Sequence, residues 1–545
     1  MTAHPDFRPT RWAALAALLT TSVLLTACGS GGDGSDSGSG SGSGSGPAKS
    51  GGSLTFAVGS DAGCVDPQQV ASNDTIYSVR QIVDSLTDQD PQTGKIVPWL
   101  AKSWDISSDA TTFTFHLRSG VTFSDGSRLT AQVVKDNFDA VPKLGALGTL
   151  AEGYLSGVKS TTVVDPLTVK VTFQQPNAQF LQATSTHSLG IESSASAKRT
   201  PQQKCSEGVV GSGPFVLKQY VQNQSITLAK RTGYTWGSSL WSKKGEAYLD
   251  KLVFKVVPEA GVRAGSLQSG QVDAISSVGK ANEAALKGGP VTLARRANPG
   301  AVFNLALNNS RPALKDVKVR QAIQYAVNRQ EIADAVFPTG THPATSILAR
   351  TTPDYEDLGS DLGFDAAKAK SLLDSAGWKT GGDGIRTKGG AKLSLTVKWF
   401  ANAATNQPAL ELIQQQLKAV GIDVVLKELQ ISQIATVQQS GDFDGLWGNL
   451  TRADPDILRT LYSTGLANTY RLPKSSLDTA LTRQAATTDA AKRKELAGTA
   501  QQLIVTNAYV VPVVELQTQL GVSTKVHNLD FDASSRIQLH DTWIG

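Results

Sequence analysis

The chain has 545 residues, 40% hydrophobic and 18% charged, and its 52 basic and 47 acidic side chains leave a net charge of +5. That composition is of an ordinary globule, and with the signs mixed along the chain and no basic stripe it excludes nucleic acid as a partner. After the first residues, no apolar run approaches the ~20 residues that a membrane span needs.

The N-terminal element comes first. Arg8 and Arg11 precede an apolar stretch from Trp12 to Leu25, interrupted only by a few Thr and Ser. A basic leader, a short apolar segment and a small-residue cleavage site make a secretory signal peptide over residues 1–27. No Arg-Arg pair marks it for the twin-arginine route. Leu25-Thr26-Ala27-Cys28 resembles the bacterial lipobox, in which the chain is cut before the cysteine and the cysteine is lipidated. The resemblance implies a lipid on Cys28 and a protein held at the outer face of the cell membrane, each buried CH₂ contributing ~0.8 kcal/mol. Residues 28–52 are nearly all Gly, Ser and Asp. Such a segment buries nothing, and it makes a tether reaching roughly 25–30 Å. Of the three cysteines, Cys64 and Cys205 then remain as an even pair in an oxidising compartment, and a disulfide between them is expected.

The body that follows has about 490 residues, enough for two or three cores. Ser53 to Val58 alternates as a strand, Asp61 to Asn73 is loop-like, and Thr75 to Leu86 reads as a helix. TTFTFHLRSGVTFSDGSRLT holds two short strand patterns with turn signals at Ser119-Gly120 and Asp125-Gly126. Thr130 is placed to cap the helix AQVVKDNFDAV, and TTVVDPLTVKVTF is a hairpin turning at Asp165-Pro166. GPFVLKQYVQNQSITLAKR gives two more strands, and VRAGSLQSGQVDAI gives helix, Gly and strand. DVKVRQAIQYAVNRQEIADAVF reads as one amphipathic helix capped by Asp316. FDAAKAKSLLDSAGW is another helix, capped by Asp365 and stopped at Gly377. Between Leu393 and Leu429 the pattern is strand, helix, strand, with Leu393, Leu395, Val397 and Trp399 on one strand face and Gly421 ending the helix. Such crossovers join parallel strands, and ligands of open α/β sheets lie beyond the carboxyl ends of those strands. Residues 399–406 and the end of the strand FDGLWGNL are therefore expected to face a binding crevice.

Seven segments, in order, resemble family 5 solute-binding proteins, the peptide, nickel and oligosaccharide receptors of ABC importers. They are LTDQDPQTGKIVPWLAKSWDISSDATTFTFHLRSGVTFSDGSRLTAQVVKDNF, GSGPFVL, RAGSLQSGQVDAI, KDVKVRQAIQYAVNRQEI, FDAAKAKSLLDSAGW, QQQLKAVGIDVVLKEL and RADPDIL. The resemblance covers Ser53 to Gly545. It implies an α/β, periplasmic-binding-protein-like fold of two lobes with an extra small domain, built of mixed sheets with flanking helices. The expected division is 53–76 with 208–297 and 512–545 for the first lobe, 77–207 for the extra domain, and 298–511 for the second lobe. It further implies a monomeric receptor that hands a captured solute to a permease and its ATPase, without a cofactor. A surface sensor or pheromone receptor on the same fold is the alternative. Peptide-binding members usually carry an Asp a few residues before the Asp-Pro of the last segment, which pairs with the peptide's α-amino group. Here Thr451 stands at that place with Arg452 beside it, and a neutral hydroxyl does not replace a charge-assisted bond.

The candidate ligand-binding residues are Trp399, Phe400, Asn402, Trp447, Asn449, Thr451, Arg452, Asn73 and Asn308. Trp399 alternates with the core face of its strand and reads equally as core, while Phe400 points the other way. Trp447 adjoins polar Asn449 and Thr451, a mixture suited to a pocket that is mostly apolar with a few placed polar groups. Asn73 and Asn308 border family segments and read equally as turn caps. Catalysis is not expected. Ser156-Gly157-Val158-Lys159, Ser277-Val278-Gly279-Lys280 and Lys379-Thr380-Gly381 echo penicillin-interacting enzymes, but no S-D-N accompanies them and the K-T-G is expected in a Gly-rich loop after a helix, where a strand is required. No metal site is expected either, because His116, His187, His342, His527 and His540 are not spaced as ligand pairs.

Overall fold

The computed structural model describes residues 47–400, 402–430 and 433–545. Cys28, the signal peptide and most of the Gly/Ser tether lie outside the described residues. Strand Ser53–Val58 places Leu54, Phe56 and Val58 on a buried face and runs parallel to Lys251–Val256, with Phe56 opposite Phe254. Around this pair stands a seven-stranded sheet in the order Val291–Ala297, Gln517–Ser523, Ala274–Ile275, Ser53–Val58, Lys251–Val256, Ser225–Lys230, Phe215–Val221. A four-stranded antiparallel sheet follows the order Ala101–Ile106, Thr112–Leu117, Thr168–Phe173, Val158–Asp165. Its inner face is aromatic: the ring of Phe180 meets Phe113 at 5.1 Å, Phe173 at 4.8 Å and Phe138 at 6.1 Å, all edge-on. Helix Ala131–Ala140 covers it, capped by the Thr130 hydroxyl, which accepts from the Val133 amide.

A five-stranded sheet has the order Asp423–Leu429, Ser394–Phe400, Gly445–Thr451, Gly300–Leu307, Val510–Val514. The first two strands are parallel and joined through helix Asn406–Lys418, the strand-helix-strand unit read from the sequence. Leu393, Leu395, Val397 and Trp399 all enter the core beneath that helix, beside Leu410, Ile413 and Leu417. The chain passes between the seven- and five-stranded sheets at two adjacent places, between Ala297 and Gly300 and between Val514 and Gln517. Asn298 binds the crossings together. Its amide donates to Leu516 O at 2.7 Å, and its Oδ1 accepts from the Thr518 amide and hydroxyl at 2.9 and 2.8 Å. Gly300 has φ +110°, and a Cβ there would meet Leu450 O at 2.3 Å, so only glycine fits the close approach.

Four elements differ from expectation. Lys379–Thr380 is a short strand paired with Arg386–Lys388 rather than loop, because the chain turns back with the Gly381 amide donating to Ile385 O at 2.8 Å. The helix expected to reach Leu86 ends at Val79. Beyond it, the Ile82 and Asp84 carbonyls accept from the Gly213 and Ile191 amides, so distant chain takes over the bonds a helix would use. A Cβ on Gly213 would lie 2.5 Å from the Ile82 carbonyl carbon, which explains the glycine. The helix after Asp316 is two, Val317–Ala326 and Arg329–Val336, because the Asn328 side chain accepts from the Glu331 amide and caps a new start. The second strand pattern before Thr130 shrinks to a single bridge, Thr122 to Arg128.

Cys64 and Cys205 are bonded, 141 residues apart in sequence. Directly beside them the Lys204 ammonium, 1% exposed, donates to Asp66 at 2.9 Å, Gln68 at 3.0 Å and Glu192 at 3.3 Å. Burial, with Asp66 beside it, pushes the Glu192 carboxyl well up. A further buried carboxylate, Asp84, accepts from Ser212 Oγ at 2.9 Å, Tyr234 OH at 3.0 Å and Trp236 Nε1 at 2.9 Å. Burial nevertheless raises its pKa to about 6. The folded protein therefore holds a proton there that the unfolded chain releases near pH ~4, and the stability this gives is lost as pH rises from about 4 to about 6. Asp84→Asn removes that titration and loses acceptors. Its deficit in urea unfolding is expected to be largest at pH 4 and to shrink by up to roughly 3 kcal/mol by pH 7. A deficit independent of pH would show that Asp84 does not titrate in this range.

Candidate functional site

Strands Ser394–Phe400 and Gly445–Thr451 run parallel and end side by side. Next to their ends the strand Gly300–Leu307 shifts register between Ala301 and Asn304, a bulge that re-aims Phe303 and Asn304. A cavity of about 160 Å³ opens there. Its floor is Trp447, stacked on Phe303 with ring centroids 5.4 Å apart and planes 13° from parallel. Trp447 Nε1 donates to Asn406 Oδ1 at 3.0 Å. Asn406 Nδ2 in turn donates to Phe400 O at 3.0 Å and Asn402 Oδ1 at 2.9 Å. One side-chain amide therefore fixes the indole to the end of the neighbouring strand and to the loop after it. Asn304 donates to Val302 O and Gly448 O at 2.8 and 3.2 Å, holding the bulge. Gln438 of helix Ile434–Ser440, with Tyr470, supplies the far wall.

Among the residues singled out in the sequence, Phe400, Asn402, Trp447 and Asn449 line this cavity. Trp399 does not; it is 6% exposed and packed in the core under helix Asn406–Lys418. Asn308, 1% exposed, spends its side chain on a turn, donating to Gly441 O and Phe443 O and accepting from Ser310. Asn73 begins the helix Asn73–Val79. Thr451 pairs with Gly300 at the sheet crossing. Arg452 faces the four-stranded-sheet region instead: its Nη1 donates to Gln179 Oε1 at 3.1 Å and Thr460 Oγ1 at 2.9 Å, and the guanidinium lies 4.9 Å from the Tyr154 ring. The neighbouring Ala453 carbonyl accepts from Gln89 at 2.9 Å. Both carboxylates of Asp454-Pro455-Asp456 are engaged by arginines, Asp454 by Arg493 at 2.6 and 2.9 Å and Asp456 by Arg459 at 2.7 and 2.8 Å. Phe303, Asn304, Gln438 and Tyr470 were not singled out in the sequence. Only the bulge and the chain's return at 434–470 bring them here, and neither has a sequence signature.

A larger cavity, about 410 Å³, lies among Asp88, Asp90, Asp532, Asp541 and Arg296. Three of its carboxylates brace backbone: Asp90 accepts from the Gln92 amide and Asp532 from the Ser534 and Arg536 amides within their own loops, while Asp541 accepts from neighbouring His540 and from the distant Ser242 amide. Among the described residues, no group of His, Cys, Asp and Glu has the arrangement of a metal site, and no helix is long and apolar enough to cross a membrane.

Trp447 is 2% exposed, a core residue as well as a cavity wall. Trp447→Ala is expected to cost about 3–5 kcal/mol of stability, and Trp447→Phe about 1–3 kcal/mol by stranding the Asn406 carbonyl. Chemical denaturation of the two variants measures both. A Trp447→Phe loss near zero beside a large Trp447→Ala loss would mean that the indole–amide bond contributes nothing.

The family model for bacterial extracellular solute-binding proteins, family 5, matches residues 95–470. The nickel-binding periplasmic protein of Escherichia coli strain K12 is 27% identical over 361 residues, 64% of this chain and 66% of that protein, just under two thirds of its length. The glutathione-binding protein GsiB of Salmonella paratyphi A is 28% identical over 398 residues, 71% of this chain and 72% of that protein. Two solved structures share the fold. NikA from Brucella suis in complex with Fe(III)-EDTA superposes with a TM-score of 0.78 over 91% of this chain and 100% of that one, at 24% identity. DppA from Helicobacter pylori in complex with the peptide STSA gives 0.73 over 91% and 98%, also at 24% identity. The match over residues 95–470, on a fold shared with these binding proteins, places the chain among the bacterial extracellular solute-binding proteins of family 5.

Proposed function

We propose that this protein captures a small polar or peptide-like solute outside the cell and delivers it to an ABC permease, without chemistry on the solute. The observation that carries this reading is the cavity at the adjoining ends of Ser394–Phe400 and Gly445–Thr451, where an α/β sheet offers side chains to a ligand. The relatives bind nickel and glutathione, which supports a role in solute capture. In this reading the first lobe is built on residues 53–76, 208–297 and 512–545, the extra domain on 77–207 and the second lobe on 298–511. The two crossings tied by Asn298 are the hinge. A ligand bound between the lobes shifts the population toward closure by its differential affinity for the closed form. The chain acts as a monomer anchored through a lipid on Cys28, and the Gly/Ser tether lets the receptor reach its permease.

Arg452 holds the second lobe to the extra domain through Gln179 and Tyr154. Truncation to Leu removes these contacts, about 1–3 kcal/mol in favour of the closed form, and a larger radius of gyration by small-angle X-ray scattering is expected for Arg452→Leu. An unchanged radius would remove Arg452 from closure. For the anchor, Cys28→Ala is expected to move the processed protein from the membrane fraction to the soluble one, and retention in the membrane would show that the cysteine is not the attachment point. Native mass spectrometry for a co-purified solute, with uptake of that solute in a deletion strain, tests the function itself: unaltered uptake would sink it.

A further inference from the structure

The cavity beside Trp447 is walled by Phe303, Phe400, Leu446 and Trp447 and edged by amides. The described residues that line it include no Asp, Glu, Lys, Arg or His. The one titratable group is the Tyr470 phenol, which burial pushes up to about 12, so it is neutral at any physiological pH. The nearby charges are already spent. Lys398 donates to Asp442 at 2.8 Å, and Arg452 is turned to Gln179 and Thr460. The amides are less committed. Among the described residues, Asn449 and Gln438 line the cavity with no side-chain hydrogen bond, and Asn402 uses its Oδ1 and keeps its Nδ2.

We infer that this cavity takes an uncharged group of the ligand, one with an apolar body and a hydrogen-bonding edge, such as a neutral sugar unit or the uncharged side chain of a peptide. The inference rests on the reading of the cavity as the ligand site. A carboxylate or ammonium entering it loses its hydration and meets no opposite charge, which is costly in an apolar pocket. An amide presents a donor and an acceptor together, so it satisfies hydroxyls and amides of either polarity. The apolar walls at Phe303, Phe400, Leu446 and Trp447 suit the body of a sugar ring or of an aliphatic or aromatic side chain. Selection against charge is built from the absence of a counter-ion, and one charged substitution at the rim should invert it.

The test is competitive retention. Purified full-length protein is incubated with an equimolar mixture of Ala-X-Ala tripeptides (X = Leu, Phe, Gln, Asp or Lys), cellobiose, maltose and cellobionate, added to the small-molecule fraction of yeast extract. Retained solutes are read by mass spectrometry. Neutral members are expected to be retained about tenfold over their charged counterparts. Which neutral members are retained separates the sugar source from the peptide source. Asn449→Asp is expected to lose the neutral solutes about tenfold and gain the Lys peptide, and Asn449→Lys to gain the Asp peptide or cellobionate. Equal retention of charged and neutral solutes by the wild type would overturn the inference, as would the same selection in both variants. Retention of nothing by folded wild type would instead sink the receptor reading beneath it.

Discussion

The protein is organised by a topological constraint: among the described residues, the chain crosses between its seven-stranded and five-stranded sheets twice, side by side. Asn298 lies on one crossing and binds the other through its backbone amide and its side-chain oxygen. Away from the crossings, the Thr339 amide and hydroxyl donate to Glu283, so the two sides are also held by side-chain contacts. Gly300 sharpens the constraint, since the return strand at Leu450–Arg452 passes so close that no side chain fits. Glu515, on the second crossing, accepts from the Arg350 amide and Nε at 2.9 and 3.1 Å, so the crossings are also braced from the five-stranded side. The cavity begins a few residues from these crossings, at the bulge Ala301–Asn304.

The seven-stranded side meets the four-stranded region through buried charge as well as apolar packing. Lys204 satisfies two carboxylates and an amide while almost fully buried, and its neighbour Cys205 closes the disulfide to Cys64. A buried ion group of this kind adds little net stability, but removing one member costs about 3–5 kcal/mol by stranding the others. The disulfide acts on the unfolded chain, where closing a loop of 141 residues corresponds to roughly 5 kcal/mol as an upper figure. The two devices sit on adjacent residues and work on opposite states: one punishes misplacement in the folded protein, the other limits the freedom of the unfolded one.

What the sequence revealed follows from the range of the forces involved. The strand-helix-strand unit was legible because Leu393, Leu395, Val397 and Trp399 repeat with period two and the helix after Pro408 with period 3.6, and both are local signals. The caps at Thr130, Asp316 and Asp365 were legible for the same reason. The truncated helix at Val79 was not, since what ends it is a pair of amides more than a hundred residues away. In the site, Trp447 and Phe400 were legible from strand alternation and position. Phe303 and Asn304 were not, because a bulge is a property of a pair of strands rather than of one. Asn308 shows the converse error of proximity: it lies beside a family segment, yet its Nδ2 is absorbed by the Gly441 and Phe443 carbonyls and its Oδ1 by Ser310.

The same logic bears on what the second lobe offers a ligand. Asp454 and Asp456 stand in the segment that resembles the family's peptide receptors, and sequence proximity alone would make them the acceptors for a ligand's amine. Arg493 and Arg459 each close a bidentate pair on them, and such pairs are among the strongest a protein makes. A ligand ammonium would have to displace an arginine that is held by packing and costs no binding entropy. With the aspartates closed in this way, Lys398 neutralised by Asp442 and Arg452 turned toward Gln179, the groups left to meet a solute beside Trp447 are amides and aromatic faces. The charged residues around this cavity engage one another, and the described residues that line it are uncharged.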